Sequence, residues 1–207
     1  RIYGYYNIVP TLMVGNTFRG GVGEAFRDED AIKDALVSEG AYEMYNFNFT
    51  GPAAINALLL PEDDEKRLTV RLLNPFGEEQ SLMRTTLLIG MLDSLSRNYA
   101  RKTGHERFFE VGNVHFDNNP DLPEERKMLG LIYSGANEDF FTLKGSVEAL
   151  LERFNVLGQY EVISGGGAYF QPGQKALIQI DGEVVGEMGA VHPAILKQIG
   201  RASCRER

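Results

Sequence analysis

The side chains best suited to chemistry are scattered along this sequence rather than grouped. Three histidines, His105, His115 and His192, lack the short spacings at which imidazoles share a metal ion. His115 falls in an apolar run, where a hydrogen-bonded structural histidine is the ordinary reading. Asp117, Asp121, Glu124 and Glu125 could attract a divalent cation, but a solvated loop accounts better for such a charge run. Gly15, Gly20, Gly21 and Gly23 suggest a phosphate-cradling loop. No strand precedes them and no Gly-Lys-Ser/Thr follows, so a flexible connector fits better. Cys204, the one cysteine, cannot form an internal disulfide and fits a reducing compartment. On these residues no metal ligand, cofactor ligand or catalytic group is assigned.

The elements that would have to position such groups centre on Leu72 to Phe116. Leu87, Leu88, Met91, Leu92, Leu95 and Tyr99 recur at three-to-four spacing and predict an amphipathic helix. Thr85 and Thr86 are placed to cap its start. Phe108 to Phe116, rich in aromatic and β-branched residues, predicts a buried strand. The bland reading, a core helix packed on a sheet, suffices for the stripe itself.

Around this unit the chain predicts a helix from Asp28 to Glu39 ended by Gly40. A strand follows from Tyr42 to Phe49, with Tyr42, Met44, Asn46 and Asn48 on one face and Glu43, Tyr45, Phe47 and Phe49 on the other, strongly apolar one. A short helix starts at Pro52, and a short strand is expected over Thr69 to Leu73. Asp117 to Pro123 reads as a loop, Lys127 to Ser134 as a strand and Thr142 to Phe154 as a helix. Asp181-Gly182 between two β-rich runs predicts a hairpin turn, and a last short helix runs to about Ile199. Such a series gives an α+β domain with a mainly antiparallel sheet flanked by helices. Hydrophobic residues make up 43% and charged residues 24% of the 207, ordinary values for a globular protein. No apolar run reaches membrane-spanning length. A net charge of −8 argues against an independent nucleic-acid-binding module.

The runs Leu72-Leu73-Asn74-Pro75, Met83-Arg84-Thr85-Thr86-Leu87-Leu88 and Phe108-Phe109-Glu110-Val111-Gly112 resemble the central, catalytic-like region of the bacterial phenylalanyl-tRNA synthetase β-subunit family. Arg1-Ile2-Tyr3-Gly4-Tyr5, Asp139-Phe140-Phe141 and Gly189-Ala190-Val191-His192-Pro193 agree in order. The resemblance runs from residue 1 to about residue 199 and implies a class II aminoacyl-tRNA synthetase-like fold. It divides the chain into a preceding-domain remnant and connector (1–23), a catalytic-like core (24–200) and a tail foreign to the family (201–207). Because Arg1 starts inside a family motif, a longer polypeptide is expected. The family's holoenzyme is a cytoplasmic heterotetramer of two α and two β subunits. It joins phenylalanine to tRNA(Phe) with ATP and magnesium, and activation takes place in the α subunit.

A class II active site, by that resemblance, needs an arginine and a glutamate two apart on one strand, and an arginine in a glycine-rich unit near the end. Here Arg107 and Glu110 are three apart, so they point to opposite faces. The terminal unit, Gly186 to Pro193, has no arginine. Without fixed positive charge against the triphosphate the sheet is expected to be a scaffold, inactive as a fragment. Glu110 is then a satisfied, partly buried carboxylate. Two other readings are an active ligase on the same fold, against which the missing arginines speak, and an amino-acid- or nucleotide-binding regulatory module. The helix and strand at Asp28 to Phe49 resemble the family's interface-building motif, and their aromatics are too many for one buried side. The α-subunit contact is therefore expected there, at Arg27, Lys33, Asp34, Ala35, Tyr45 and Phe47, with tRNA reached through the holoenzyme and no membrane involved.

Overall fold

The computed structural model describes residues 2–17, 19–101, 106–119 and 121–197. His105, Ile199, Cys204 and the tail 201–207 lie outside the described residues.

Residues 2–17 and 19–23 form an extended lead-in with one tight turn at Tyr5–Asn7. Helix α1, Glu24–Ser38, starts four residues before the expected Asp28, because Gly23 in extended conformation already releases a helix-compatible run. Gly40, at φ 83°, closes its C-terminal end in the left-handed region that favours glycine. Strands β1 (Tyr42–Glu43) and β2 (Phe49–Thr50) follow, then α2 (Pro52–Ala57), with proline in its first turn. Strand β3 is Leu82–Met83, α3 is Leu88–Ala100, and β4 and β5 are Glu106–Phe116 and Glu124–Ser134. The rest comprises α4 (Phe140–Arg153), β6 (Tyr160–Ser164), β7 (Phe170–Ile180) and β8 (Glu183–Val191), with a helical turn at 193–197.

Strands β4 and β5 form a long antiparallel hairpin, in register from Glu106 opposite Ser134 to Phe116 opposite Glu124. β1 runs parallel along the other edge of β4, with Tyr42 opposite Phe108. Side-chain alternation gives the hairpin two faces. Phe109, buried completely, joins Leu36 and Ala41, with Ile32, Val111, Leu129 and Leu131 packed around them, so α1 covers that face. On the opposite face Val114, Phe116 and Ile132 pack with Leu87, with Met91 and Leu92 of α3, with Ile55 of α2 and with Ile195. Gly130 lets α3 close in: a Cβ there would lie 2.5 Å from Met91 Sδ. Fully burying one such large apolar side chain is worth about 1.5–3 kcal/mol. β6, β7 and β8 make a second antiparallel sheet. Its inner residues Ala176, Ile178 and Met188 bury against Phe140, Leu143 and Val147. The architecture is α+β, with antiparallel sheets and flanking helices, as the sequence predicts.

Local departures have local causes. The expected strand Tyr42–Phe49 is split: β1 pairs with β4, β2 pairs antiparallel with β3, and residues 44–48 pass between them. Over Thr69 to Leu73 only a bridge, Arg71 to Leu82, forms. Thr86 Oγ1 accepts from the Leu88 N–H at 3.2 Å, whereas Thr85 donates to the Lys66 carbonyl at 2.6 Å. Asp139 and Thr142 form a capping box, so α4 begins at Phe140 and not Thr142. The hairpin turn holds Asp181 at φ 52° and Gly182 at φ 83°, the positive pair that matches strand twist. Upstream, β7 continues through Pro172 and Gly173, which break its register between Phe170 and Lys175.

Candidate functional site

The outer edge of β4 is served by two different strands. At one end the Met44 N–H donates to the Phe109 carbonyl at 2.8 Å, and at the other the His115 N–H donates to the Arg84 carbonyl at 2.8 Å. Between them side chains replace ladder bonds. Arg84 lies across Gly112, where a Cβ would sit 2.3 Å from its Nη2. Its Nε donates to the Asn113 carbonyl at 2.9 Å and its Nη1 to Glu110 Oε1 at 2.5 Å. The two side chains retain 6% and 2% of their exposure, so this ion pair is buried. Such a pair persists only when its remaining polar atoms are also satisfied. Asn46 Nδ2 donates to Glu110 Oε2 at 2.6 Å, Ser94 Oγ donates to Asn46 Oδ1 at 2.6 Å, and Arg97 Nη2 donates to Ser94 Oγ at 2.8 Å. Glu110 is therefore satisfied, as expected, but fully rather than partly buried. Sequence reasoning did not find its partners Arg84, Asn46 and Ser94. The available signal was a lone arginine between Leu82-Met83 and Leu87-Leu88.

The cations of the hairpin are each engaged. Arg107 points to the α1 face, away from Glu110, where its Nε donates to Glu138 at 2.9 Å and its guanidinium stacks 5.1 Å from the Tyr133 ring centre. Arg126 lies 4.4 Å over the Phe116 ring and pairs with Glu124 at 2.5 Å and Glu65 at 3.1 Å. Hydrogen bonds from Arg126 and then Asn118 hold the Glu124 carboxyl at about 2. Lys127 pairs with Glu29 at 2.6 Å. In the terminal unit Glu187 accepts from the Gly167 N–H at 2.8 Å and from the Tyr169 hydroxyl, with Lys66 Nζ at 3.6 Å.

The other sequence candidates do not converge. Glu124 and Glu125 alternate on β5 and face opposite ways, while Asp117 and Asp121 are exposed. His192 Nδ1 accepts from the Ala194 N–H at 3.1 Å, capping the helical turn. His115 is buried, but the expected ring hydrogen bond is absent: its Nδ1 stands 3.8 Å from Glu125, and its Nε2 has no partner among the described residues. Gly15, Gly20, Gly21 and Gly23 lie in the exposed lead-in.

The family model for the phenylalanyl tRNA synthetase beta chain CLM domain matches residues 8–202. The chain belongs to that family. It is 36% identical over 197 residues to the phenylalanine–tRNA ligase beta subunit of Clostridium acetobutylicum, covering 94% of this chain and 25% of that protein. The Clostridium tetani subunit is 35% identical over 198 residues, covering 95% and 25%. The chain thus spans about a quarter of the length of these relatives. A pyrrolysyl tRNA synthetase structure from Desulfitobacterium hafniense superimposes with a TM-score of 0.58 at 16% identity, over 78% of this chain and 54% of that one. The fold is therefore that of a class II synthetase. No helix among the described residues is long and apolar enough to cross a membrane.

Of the residues this synthetase-family chain was expected to present to a partner, Tyr45 and Phe47 are wide open, at 94% and 77% exposure. Their neighbours Met44 and Asn46 turn inward, so the aromatic face of this segment points to solvent. Arg27 and Asp34 are exposed and Ala35 is half-buried on α1. Lys33 is not a free rim charge. It bridges Glu29 within α1 at 3.1 Å and Glu43 at 2.9 Å; the second bond ties α1 to β1, and both raise its pKa, Glu43 being the stronger influence.

Proposed function

We propose that this chain is a non-catalytic scaffold of the phenylalanine–tRNA ligase β subunit, supporting assembly with the catalytic α subunit for ATP- and magnesium-dependent charging of tRNA(Phe) in the cytoplasm. One observation carries the reading. Along residues 44–48 the inward polar group, Asn46, is saturated by Glu110 and Ser94, while the outward Tyr45 and Phe47 are left in water. Contiguous exposed aromatics of this kind mark protein contacts. The pairing of Arg84, Arg107, Arg126 and Lys127 with carboxylates supports the non-catalytic half, since phosphate transfer needs cations free to meet a triphosphate. On this reading the catalytic-like core is residues 24–200, and 1–23 are the end of a preceding domain and a connector.

The test places Tyr45→Asp and Phe47→Asp together in the full-length β subunit, co-expressed with the α subunit. Both side chains are exposed, so folding is expected to survive while assembly weakens by more than about thirtyfold, the loss of one central contact of about 2 kcal/mol. Unchanged affinity between folded subunits puts the interface elsewhere. Saturable binding of ATP or phenylalanine to the isolated chain, followed calorimetrically, overturns the scaffold half.

A further inference from the structure

We infer that Asn46 is the positioning residue of the aromatic contact surface: its side chain, clamped between α3 and β4, sets the path on which Tyr45 and Phe47 face outwards. This rests on the reading of Tyr45 and Phe47 as the partner contact. Residues 44 and 48 are fixed by ladder-type bonds at 2.8 Å, Met44 N–H to the Phe109 carbonyl and Arg84 N–H to the Asn48 carbonyl. These ends belong to different strand pairs, so the chain between them has no common ladder to impose alternation. Asn46 supplies the intermediate anchor. Its Nδ2 donates to Glu110 Oε2 at 2.6 Å, its backbone N–H approaches Glu110 Oε1 at 3.4 Å, and its Oδ1 accepts from Ser94 Oγ at 2.6 Å. An amide of this length matches the site, a donor towards the carboxylate and an acceptor towards the hydroxyl. Gly90 completes the clamp, because a Cβ there would lie 2.8 Å from Asn46 Cβ. With residue 46 drawn inward, Tyr45 and Phe47 on either side of it stand exposed. The buried carboxylate of Glu110 is thereby linked to an exposed surface that it does not touch.

Asn46→Ala and Ser94→Ala are made in the full-length β subunit, beside a Tyr45→Ala/Phe47→Ala benchmark. Affinity for the α subunit, thermal stability and amide hydrogen exchange of residues 44–48 are measured on each. Asn46→Ala is expected to speed exchange at 44–48 at least tenfold and to weaken assembly at least tenfold, though both aromatics remain. Ser94→Ala should do the same to a smaller degree. It removes the bond to Asn46 Oδ1 and the bond from Arg97 Nη2 but spares the Arg84–Glu110 pair, so it carries the test if Asn46→Ala does not fold. Unchanged exchange at 44–48, or faster exchange with unchanged assembly, overturns the positioning role. A benchmark variant that assembles normally overturns the contact reading instead, and the exchange measurement still decides whether Asn46 holds the segment.

Discussion

Replacing Arg84 with methionine tests whether the buried pair is as dry as its geometry indicates. The substitution keeps an unbranched chain over Gly112 but removes the 2.5 Å bond to Glu110 and the 2.9 Å bond to the Asn113 carbonyl. Glu110, whose side chain retains 2% of its exposure, is then a buried carboxylate held by Asn46. Removing one partner of such a pair costs about 3–5 kcal/mol, because the surviving charge has lost its compensation. That is a large part of the roughly 5–15 kcal/mol by which domains are stable. In urea, with m about 2 kcal/mol/M, the midpoint should fall by about 2 M. The double variant Arg84→Met/Glu110→Leu should be less unstable than the sum of the two single variants, because no buried charge is left unpaired. It removes both charges but strands the Asn46 amide and the Asn113 carbonyl, at about 1–3 kcal/mol each. Equilibrium unfolding of the four species at constant m gives the coupling energy. A single-variant cost below about 1 kcal/mol, or a double variant as unstable as the sum of the two single variants, would refute the desolvated pair.

Gly112→Ala places a Cβ 2.3 Å from Arg84 Nη2 and should cost about 1–3 kcal/mol by crowding, measured in the same unfolding assay. Asp139→Ala removes the carboxylate that accepts from the Phe141 and Thr142 amides at 2.9 and 2.8 Å, and should lower stability by about 1 kcal/mol while fraying the start of α4 in circular dichroism. The Glu124 carboxyl, depressed to about 2 by Arg126 first and Asn118 second, contributes stability above its unfolded pKa near 4.3; this is lost as pH falls through about 2. Arg126→Gln should return the Glu124 titration towards the ordinary range, read from its side-chain carboxyl shift by NMR.

Signals that depend on near neighbours were legible in the sequence. The stripe Leu87, Leu88, Met91, Leu92 and Leu95 marks α3 because a 3.6-residue repeat reports the buried side directly. Tyr99, the last residue of the stripe, is 73% exposed. Asp181-Gly182 marks its turn through the φ values it tolerates, and the spacing of Arg107 and Glu110 separates them onto opposite faces. Strand β6 was missed: Tyr160–Ser164 is a short run beside Gly165–Gly167, too brief for a period to emerge.

Tertiary contact decided the rest. Period-two alternation over Tyr42 to Phe49 sorts the side chains into two sets but does not say which set turns inward. Hydrophobicity favours Tyr45 and Phe47. Over residues 44–47 the opposite happens, because Glu110, buried on β4, draws in Asn46 from 64 residues away and Arg84 from 26, while Tyr42 and Asn48 stay exposed and Phe49 is half-buried. A carboxylate in a dry interior must find its partners wherever the fold brings them. Local periodicity carries the identity of helices and strands. The pairing of buried charges, and with it the direction in which the aromatic surface faces, exists only once distant segments are packed together.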